Sequence, residues 1–270
     1  MVYADLHVHT DVSDGSLSLS AVPAAARRSG VSVVAITDHD RIHPGLSHPV
    51  TVMDGVEVVH GIELRVQAAE QRVDLLAYGV TPTESLRAEL ARIQRDRVER
   101  GRAIVECVED RLEVSLDVDL VEGVGRPHVA RAVVDHGDTA YERLGDVFED
   151  LIGESDPCFV ARDVPAFADA LPLLQASSHL VSLAHPFRYP DPEGALALCE
   201  HLDAVESVYP YDGARGHGGE PATDAALLAE TVEEYALVET GGSDAHGRRL
   251  GLAGLSAAQY DRVAEHLPVP

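Results

Sequence analysis

The stretch Asp5-Leu6-His7-Val8-His9-Thr10 decides how the rest of the chain is interpreted. Its alternation of polar and apolar residues is typical of a β-strand, in which every second side chain shares a face. Asp5, His7 and His9 therefore point together, while the apolar residues between them point into a hydrophobic layer. Two imidazoles on one face can chelate one cation, and Asp5 is placed to orient one of them. The stretch predicts a metal-binding strand.

Six further runs of β-type residues follow, so the sequence predicts seven strands. Their bounds are 3–9, 31–37, 56–62, 72–78, 180–184, 204–208 and 237–241. Helix-like segments between several of them, at 19–29, 192–201 and 223–235, are typical of parallel β/α units. The first of these helices is predicted to end at Gly30, a residue that suits the end of a helix.

Residue types that bind metal ions gather on these strands, mostly at their carboxyl ends. They are His7, His9, Asp38, His39, Asp40, Glu63, Asp74, His185, Glu206, Asp244 and His246. A (β/α) barrel builds its active site at the carboxyl ends of its strands. The sequence therefore predicts a barrel with a metal site at its mouth.

The region 82–176 breaks the alternation of strands and helices. Apolar residues at helical spacing predict a long helix over 84–116 and further helix over 129–151. We therefore expect a mainly helical insertion near the barrel mouth over 82–176. Residues 1–81 and 177–270 are then expected to form the catalytic barrel.

Four acidic or histidine segments extend the candidate site beyond the first strand. Asp14 lies in a Ser-Asp-Gly sequence that suits a simple turn, but beside the first strand its carboxylate can serve a second cation. His39 is a candidate ligand. Asp38 and Asp40 fit equally well as hydrogen-bond acceptors behind the ligands or as helix N-caps. Glu63 can bridge two cations, as multinuclear sites require.

Two later segments offer further ligands. Asp244 and His246 follow paired glycines, which let the backbone approach closely, and they share a face if this segment is extended. His185 comes at the end of an apolar strand, directly before a proline that suits the transition to a loop. Both segments lie near the carboxyl end of a predicted strand.

The motifs D-x-H-x-H-T, S-D-G, T-D-H-D, G-I-E, A-H-P and S-D-A-H, in this order, resemble those of the PHP (polymerase and histidinol phosphatase) family. The resemblance touches both ends of the chain and implies a distorted (β/α)7 barrel, an α/β fold, with two to three divalent Mn, Fe or Zn ions. It implies three ligand sets, which are His7, His9, Glu63 and Asp244 for one cation, Glu63 and His185 for a second, and Asp14, His39 and His246 for a third.

One position departs from the family pattern. Relatives commonly have His where this chain has Asp74. Asp is a harder, charged ligand that would favour Mn over Zn or hold the second cation loosely. The alternative is that Asp74 is a surface carboxylate without a metal role.

The segments Arg126-Pro127-His128 and 184–189 resemble one branch of the family, the stand-alone phosphoesterases that act on AMP, nucleoside 3',5'-bisphosphates or short oligoribonucleotides. We expect Arg126, His128 and Arg188 to grip the phosphate, since Arg binds phosphate through two hydrogen bonds. His128 is also a candidate to protonate the leaving alkoxide. Alternatively, either arginine pairs with surface carboxylates.

The expected reaction follows from what the sequence lacks. No G-x-S-x-G elbow is present and no cysteine directly adjoins a basic residue, so metal ions must carry the chemistry. Two cations would lower the pKa of a bridging water, giving hydroxide at phosphorus, and a third would neutralise phosphate oxygens. We expect hydrolysis of a phosphomonoester of a nucleotide or short oligonucleotide. The alternatives are a histidinol-phosphate or sugar phosphatase, a metal amidohydrolase, and a metal-stabilised binding module without activity.

Composition adds weaker constraints. The net charge is -25 and all 21 basic residues are arginine, as in proteins of salt-loving organisms, where salt screens acidic self-repulsion. The N-terminus does not resemble a signal peptide, and no apolar run approaches the roughly 18 residues that span a membrane. Cys107, Cys158 and Cys199 match no zinc motif, so free thiols in a reducing cytoplasm are expected. The oligomeric state is not indicated. Eight histidines receive no role, which are His43, His48, His60, His136, His179, His201, His217 and His266.

Overall fold

A computed structural model describes residues 1–210 and 221–270. The chain divides into two compact units, the first made of Met1–Arg87 with Pro165–Pro270 and the second of Ala88–Val164. The second unit lies within the stretch 82–176 that the sequence marks as an insertion. The first unit carries every strand in the described part of the chain.

Eight strands form one sheet in the first unit. They are β1 (Ala4–Val8), β2 (Val33–Ile36), β3 (Val50–Met53), β4 (Val56–Ala68), β5 (Gln71–Tyr78), β6 (Leu180–Leu183), β7 (Ala204–Val208) and β8 (Val238–Gly241). The seven predicted strands are all present, and β3 is an addition that the sequence did not reveal. Four residues, one of them polar and partly exposed, gave too short a pattern to recognise.

The sheet forms the distorted barrel that was expected, with strand order β1-β2-β4-β5-β6-β7-β8 and β3 paired to β4. A bridge between Val8 and Ala245 links β1 to the segment after β8. The expectation of parallel β/α units is wrong for β4, β5 and β6, which pair antiparallel. Only two residues connect β4 to β5, and a parallel crossover needs a dozen or more.

Eight α-helices accompany the strands. They are α1 (Val22–Ser29), α2 (Glu84–Leu112), α3 (Arg126–Asp135), α4 (Leu144–Val147), α5 (Phe167–Gln175), α6 (Pro192–Leu196), α7 (Pro221–Tyr235) and α8 (Ala257–Ala264), within residues 1–210 and 221–270. Gly30 ends α1 with a φ of 72°, as its position predicts, because glycine adopts this left-handed conformation without steric cost. The helix predicted over 129–151 is instead split into α3, α4 and a short π-helical turn, Phe148–Ile152.

The barrel packs its apolar side chains in two clusters. One contains Leu6, Ala35, Val59, Leu76 and Leu255, and the other contains Val8, Ile36, Val58 and the buried side of α1. Strands with both faces covered read as continuous apolar runs rather than alternating ones. A polar side chain within such a strand therefore has to be explained.

The second unit has its own apolar core, formed by residues of α2 and α3 together with Ile152 and Cys158. Cys158 and Cys107 form a disulfide across 51 residues of sequence. The expectation of three free thiols is therefore wrong for this pair, and only Cys199 is a free, buried thiol. Sequence spacing cannot reveal such a pair, because its partners meet only when the chain folds.

None of the helices in the described part of the chain is long and apolar enough to span a membrane.

Candidate metal centre

Nine candidate ligands predicted from the sequence lie in three adjoining groups within the first unit. The first group is His7, His9, Glu63 and Asp244, the second is Glu63, Asp74 and His185, and the third is His9, Asp14, His39 and His246. In each group, one ligand-type atom from every member lies within 4.8 Å of the others. His9 and Glu63 each belong to two groups, so the three groups form one continuous cluster.

Glu63 lies at the centre of this cluster. Its Oε2 atom is 3.4 Å from Nε2 of His7, 3.3 Å from Nε2 of His9 and 2.8 Å from Nδ1 of His39. Its Oε1 atom is 3.1 Å from Nε2 of His185. The sequence suggested a residue at a strand end, but Glu63 lies within the long strand β4. One carboxylate thus faces all three groups, as a bridging ligand must.

The ring of His7 has a buried nitrogen that hydrogen bonds within the described chain do not satisfy. Its ring is fully buried, and its Nδ1 atom lies 3.0 Å from the Glu206 carboxylate. Its Nε2 atom, directed at Glu63 and Asp244, makes no hydrogen bond within the described chain. A buried polar atom without a partner is costly, whereas a divalent cation satisfies imidazole nitrogen and carboxylate oxygen together. The donor set fits the metal ions that the family resemblance implies.

Glu206 contacts two candidate ligands, although the sequence gave it no role. Its carboxylate is fully buried in β7 and accepts hydrogen bonds from His7 and, at 2.8 Å, from the backbone N–H of His185. It therefore holds two candidate ligands from different strands. The available signal was a charged residue inside an apolar strand, which is rare without a partner.

The loop that carries Asp14 is fastened to the end of β2 by Asp38. The Asp38 carboxylate accepts hydrogen bonds from the backbone N–H of Thr10, from the Thr10 hydroxyl, and from the Ser13 hydroxyl at 2.6 Å. Of the two roles left open for Asp38, the structure shows the acceptor. The N-cap is excluded because no helix begins there in the described chain.

The backbone sets His39 beside Glu63. The two residues form an isolated parallel bridge, in which the N–H of Asp40 donates to the Glu63 carbonyl at 2.7 Å. The Asp40 carboxylate accepts a hydrogen bond from the backbone N–H of Arg65. Asp40, like Asp38, is therefore an acceptor behind the candidate ligands.

Asp5 does not orient an imidazole, contrary to expectation. Its carboxylate accepts hydrogen bonds from the Ser243 backbone at 2.8 Å, from the Ser243 hydroxyl at 2.6 Å and from the Gly251 backbone at 2.8 Å. It thereby fastens the segment that carries Asp244 and His246 to β1. The alternation of the strand could not reveal this partner, because Ser243 lies 238 positions away in the sequence.

Two candidate ligands have strained backbones. His185 has a φ of 26° and Asp244 a φ of 50°, which are backbone angles that residues with a Cβ rarely adopt. The segment containing Asp244 is therefore not simply extended as supposed, although Asp244 and His246 both reach the cluster. Such strain persists where surrounding contacts hold it, and it concentrates at functional sites.

Electrostatics in the cluster are dominated by pairing of imidazoles with carboxylates. Burial alone would raise the pKa of Glu63, but His39 and His7 hold it well below its usual range. Burial would lower the pKa of His39, yet Glu63 and Asp14 raise it to about 9. Glu63 is thus ionised at neutral pH, and a bound cation would take the place of the proton on His39.

Asp74 is fully buried, so the alternative of a surface carboxylate is wrong. Its two oxygens accept hydrogen bonds from Nε and Nη2 of Arg65 at 2.8 and 2.6 Å. Arg65 received no role in the sequence analysis. Its position could have indicated a role, because Arg65 lies two residues after Glu63 and its side chain is therefore on the same face of β4.

The three residues expected to grip phosphate have other contacts. In the first unit, Arg188 pairs with Asp244 and lies over the ring of Tyr209. In the second unit, the Arg126 guanidinium lies 5.4 Å from the ring centroid of Phe148 and donates to a backbone carbonyl. His128, one turn into α3, accepts a hydrogen bond from the backbone N–H of Gly125 through Nδ1. None of these contacts tests a phosphate-binding role.

Of the histidines without a role, His217 lies outside the described residues. His60 is buried and its two ring nitrogens have no hydrogen-bond partner in the part of the chain that the structure describes. Burial lowers its pKa to about 4, so it is neutral in the folded protein.

This chain is similar to known proteins over most of its length. Residues 5–111 match the model of the PHP domain. A 3',5'-nucleoside bisphosphate phosphatase of Chromobacterium violaceum is 27% identical, with 91% of this chain and 88% of the relative covered. A phosphoribosyl 1,2-cyclic phosphate 1,2-diphosphodiesterase of Eggerthella lenta is 31% identical, with 90% and 94% covered. A Bifidobacterium adolescentis crystal structure classed as a metal-dependent phosphoesterase superimposes with a TM-score of 0.78 at 23% identity, covering 99% of this chain and 97% of that one.

Proposed function

The chain belongs to the PHP family of metal-dependent phosphoesterases, and we propose that it hydrolyses the phosphomonoester of a nucleotide or short oligonucleotide. Support for the substrate comes from the Chromobacterium violaceum relative, which acts on a nucleoside bisphosphate and aligns with this chain over nearly its whole length. The Eggerthella lenta relative is a diphosphodiesterase, which supports extending the proposed substrates to phosphodiesters.

The observation that carries the proposal is the position of the Glu63 carboxylate, whose two oxygens face all three ligand groups. A carboxylate in this position would hold two or more cations close together, and such an arrangement can clamp the attacking and leaving oxygens of a phosphate ester. Divalent cations bound there supply Lewis-acid activation of water and neutralise charge on phosphate oxygens. Mn, Fe and Zn all suit the mixture of imidazole and carboxylate donors.

The protein's own groups hold and orient this centre. Glu206 fixes the ring of His7 through Nδ1, which leaves Nε2 directed at the first group. Asp5 and Asp38 hold the two loops that carry Asp244 and Asp14. These carboxylates restrict the ligands to one arrangement before substrate arrives.

We extend the proposal to substrate binding by Arg126, His128 and Arg188. Arg188 is the best supported of the three, because it already contacts the candidate ligand Asp244 and its remaining donors suit a phosphate oxygen. For Arg126, the proposal predicts that Arg126→Ala lowers kcat/KM for a nucleotide by one to a few decades. A charge-assisted hydrogen bond contributes about 1.5–3 kcal/mol, and about 1.4 kcal/mol is tenfold in rate. An unchanged kcat/KM with a lowered melting temperature would show that Arg126 only supports its own unit.

The expected partner is a small phosphorylated molecule, with a short nucleic acid as an extension of the same chemistry. The cytoplasmic location stays a prediction. The cysteines no longer support it, because the Cys107–Cys158 disulfide is a bond typical of oxidising compartments.

A substrate panel tests the proposal. Mn-loaded protein is assayed for release of inorganic phosphate from nucleoside monophosphates, nucleoside 3',5'-bisphosphates, sugar phosphates and histidinol phosphate. We expect a nucleotide to give the highest kcat/KM, and Glu63→Gln to abolish the release. A preference for histidinol phosphate or a sugar phosphate over every nucleotide would reject the nucleotide assignment.

A further inference from the structure

Arg65 and Asp74 lie opposite each other on the antiparallel strands β4 and β5. The guanidinium donates from Nε to Oδ1 at 2.8 Å and from Nη2 to Oδ2 at 2.6 Å, so both carboxylate oxygens bind the same fork of donors. The Asp74 side chain is 1% exposed and that of Arg65 is 36% exposed. Bidentate pairs of this kind are the strongest and most directional ion pairs in proteins.

This pair removes a ligand from the second group of the cluster. The Oδ2 atom of Asp74 is 3.9 Å from Nε2 of His185 but only 2.6 Å from Arg65. Without Asp74, the second group offers Glu63 and His185 alone, with Oε1 and Nε2 atoms 3.1 Å apart. Two protein donors fall short of the three or four that hold a transition metal ion. The first group keeps four candidate ligands, and the third keeps three of its own besides His9, whose neutral imidazole can bind one ion.

The charge of Arg65 also disfavours a cation in the second group. Arginine stays protonated in proteins, so the guanidinium is a permanent positive charge beside the second group. A divalent cation bound to Asp74 would have to displace it or lie next to it. In the first group, Arg188 contacts the Oδ2 atom of Asp244, and Oδ1 still lies 3.1 Å from Nε2 of His9. In the second group, Arg65 binds both oxygens of Asp74.

We infer that the guanidinium of Arg65 takes the place of the second cation, so that the centre binds two metal ions, one in the first group and one in the third. This inference rests on the proposed phosphoesterase function and refines its metal requirement. Arg65 would contribute a fixed positive charge at the position left by the second ion. That charge would not vary with the supply of metal.

Metal stoichiometry tests the inference. Protein is equilibrated with excess Mn, freed of unbound metal by gel filtration and analysed by mass spectrometry of the elements, and phosphate release from a nucleotide is measured on the same samples. We expect two equivalents of Mn in the wild type and in Asp74→Asn. Arg65→Met frees the Asp74 carboxylate and should bind three. Arg92→Met, which breaks the Arg92–Asp163 ion pair in the second unit, is the matched control and should bind two.

Each other outcome overturns the inference in a distinguishable way. Three equivalents in the wild type, with one lost in Asp74→Asn, would make Asp74 a ligand while leaving the phosphoesterase function intact. Two equivalents in a folded Arg65→Met would show that the guanidinium does not exclude the ion. Fewer than two in a wild type that releases no phosphate would reject the proposed function together with the inference.

If Arg65→Met does not fold, anomalous diffraction from Mn-soaked crystals of the wild type decides the question. The expected result is two Mn peaks, with no peak at ligand distance from the Asp74 carboxylate. A peak bonded to Asp74 would overturn the inference.

Discussion

His7 and Glu206 are joined by a hydrogen bond of 3.0 Å between a ring nitrogen and a carboxylate, and both side chains are fully buried. Burial alone would lower the pKa of His7, but Glu206, Glu63 and Asp244 together raise it well above its usual range. The bond assigns Nδ1 to Glu206 and leaves Nε2 for the cluster. Carboxylates that orient histidine ligands in this way matter nearly as much as the ligands themselves.

The first prediction concerns this orienting bond. Glu206→Gln keeps the shape of the side chain but removes the charge that holds the His7 ring. We expect the affinity for Mn, measured by calorimetric titration, to fall about 10- to 100-fold. Glu239→Gln, on the adjacent strand β8 and partly exposed, is the control and should bind as the wild type does. Equal affinities for Mn in the two variants would show that Glu206 does not support metal binding.

His246→Ala should cost far more activity than His48→Ala. His246 lies in the third group, with its Nε2 atom 3.4 Å from Asp14, whereas His48 is exposed and belongs to none of the groups. Removing a ligand should cost at least about 100-fold in kcat, the upper end of what loss of an outer hydrogen-bond partner costs. Steady-state phosphate release decides this, and similar kcat values would exclude the third group from the reaction.

The disulfide predicts that reductant destabilises the second unit. Linking Cys107 to Cys158 closes a loop of 51 residues and restricts the unfolded chain, which corresponds to about 4 kcal/mol of unfolding free energy. Denaturant unfolding of the wild type should therefore shift to lower concentration when reductant is added. Cys107→Ser should unfold at that lower concentration with or without reductant. A wild type indifferent to reductant would contradict the prediction.

His60 predicts a loss of stability in mild acid. Its folded pKa of about 4 lies below the ordinary value of 6.5, because burial opposes its charged form. Between those pH values the unfolded chain binds a proton that the folded chain does not, so stability falls as the pH drops from 6.5 toward 4. The full effect is on the order of 3 kcal/mol.

The test compares unfolding free energies of the wild type and His60→Leu at pH 7 and pH 4.5. Leucine fills a similar volume and does not titrate, so the variant should lose less stability on acidification than the wild type. His48→Leu, at an exposed position, is the control and should follow the wild type. An identical pH dependence in His60→Leu would show that His60 is not the group responsible.

The barrel and its ligand types were predictable because strands impose a strict alternation. At the end of β1, that alternation predicts that His7 and His9 share a face, and the structure brings both into the cluster. The apolar runs likewise predicted seven of the eight strands. The direction of β5 was not predictable from its own residues, because it is set by the two-residue connection from β4.

The partners of the candidate ligands could not be predicted, because each comes from a distant part of the chain. Glu206 meets His7 across 199 positions, and Asp5 meets Ser243 across 238. The pairing of Asp74 with Arg65 depended on β4 and β5 being antiparallel, which the expectation of parallel units had excluded. The disulfide is of the same kind, since its partners lie in α2 and in the loop after α4.

The central claim is that this chain releases phosphate from a nucleotide only when its cluster holds divalent cations. The most direct measurement is inorganic phosphate released from a nucleotide by protein stripped with a chelator, before and after Mn is restored. We predict no release above background from the stripped protein and multiple turnovers after Mn is added, with Glu63→Gln inactive in both states. Equal turnover in the stripped and Mn-restored protein, or none in either across the substrate panel, would contradict the claim.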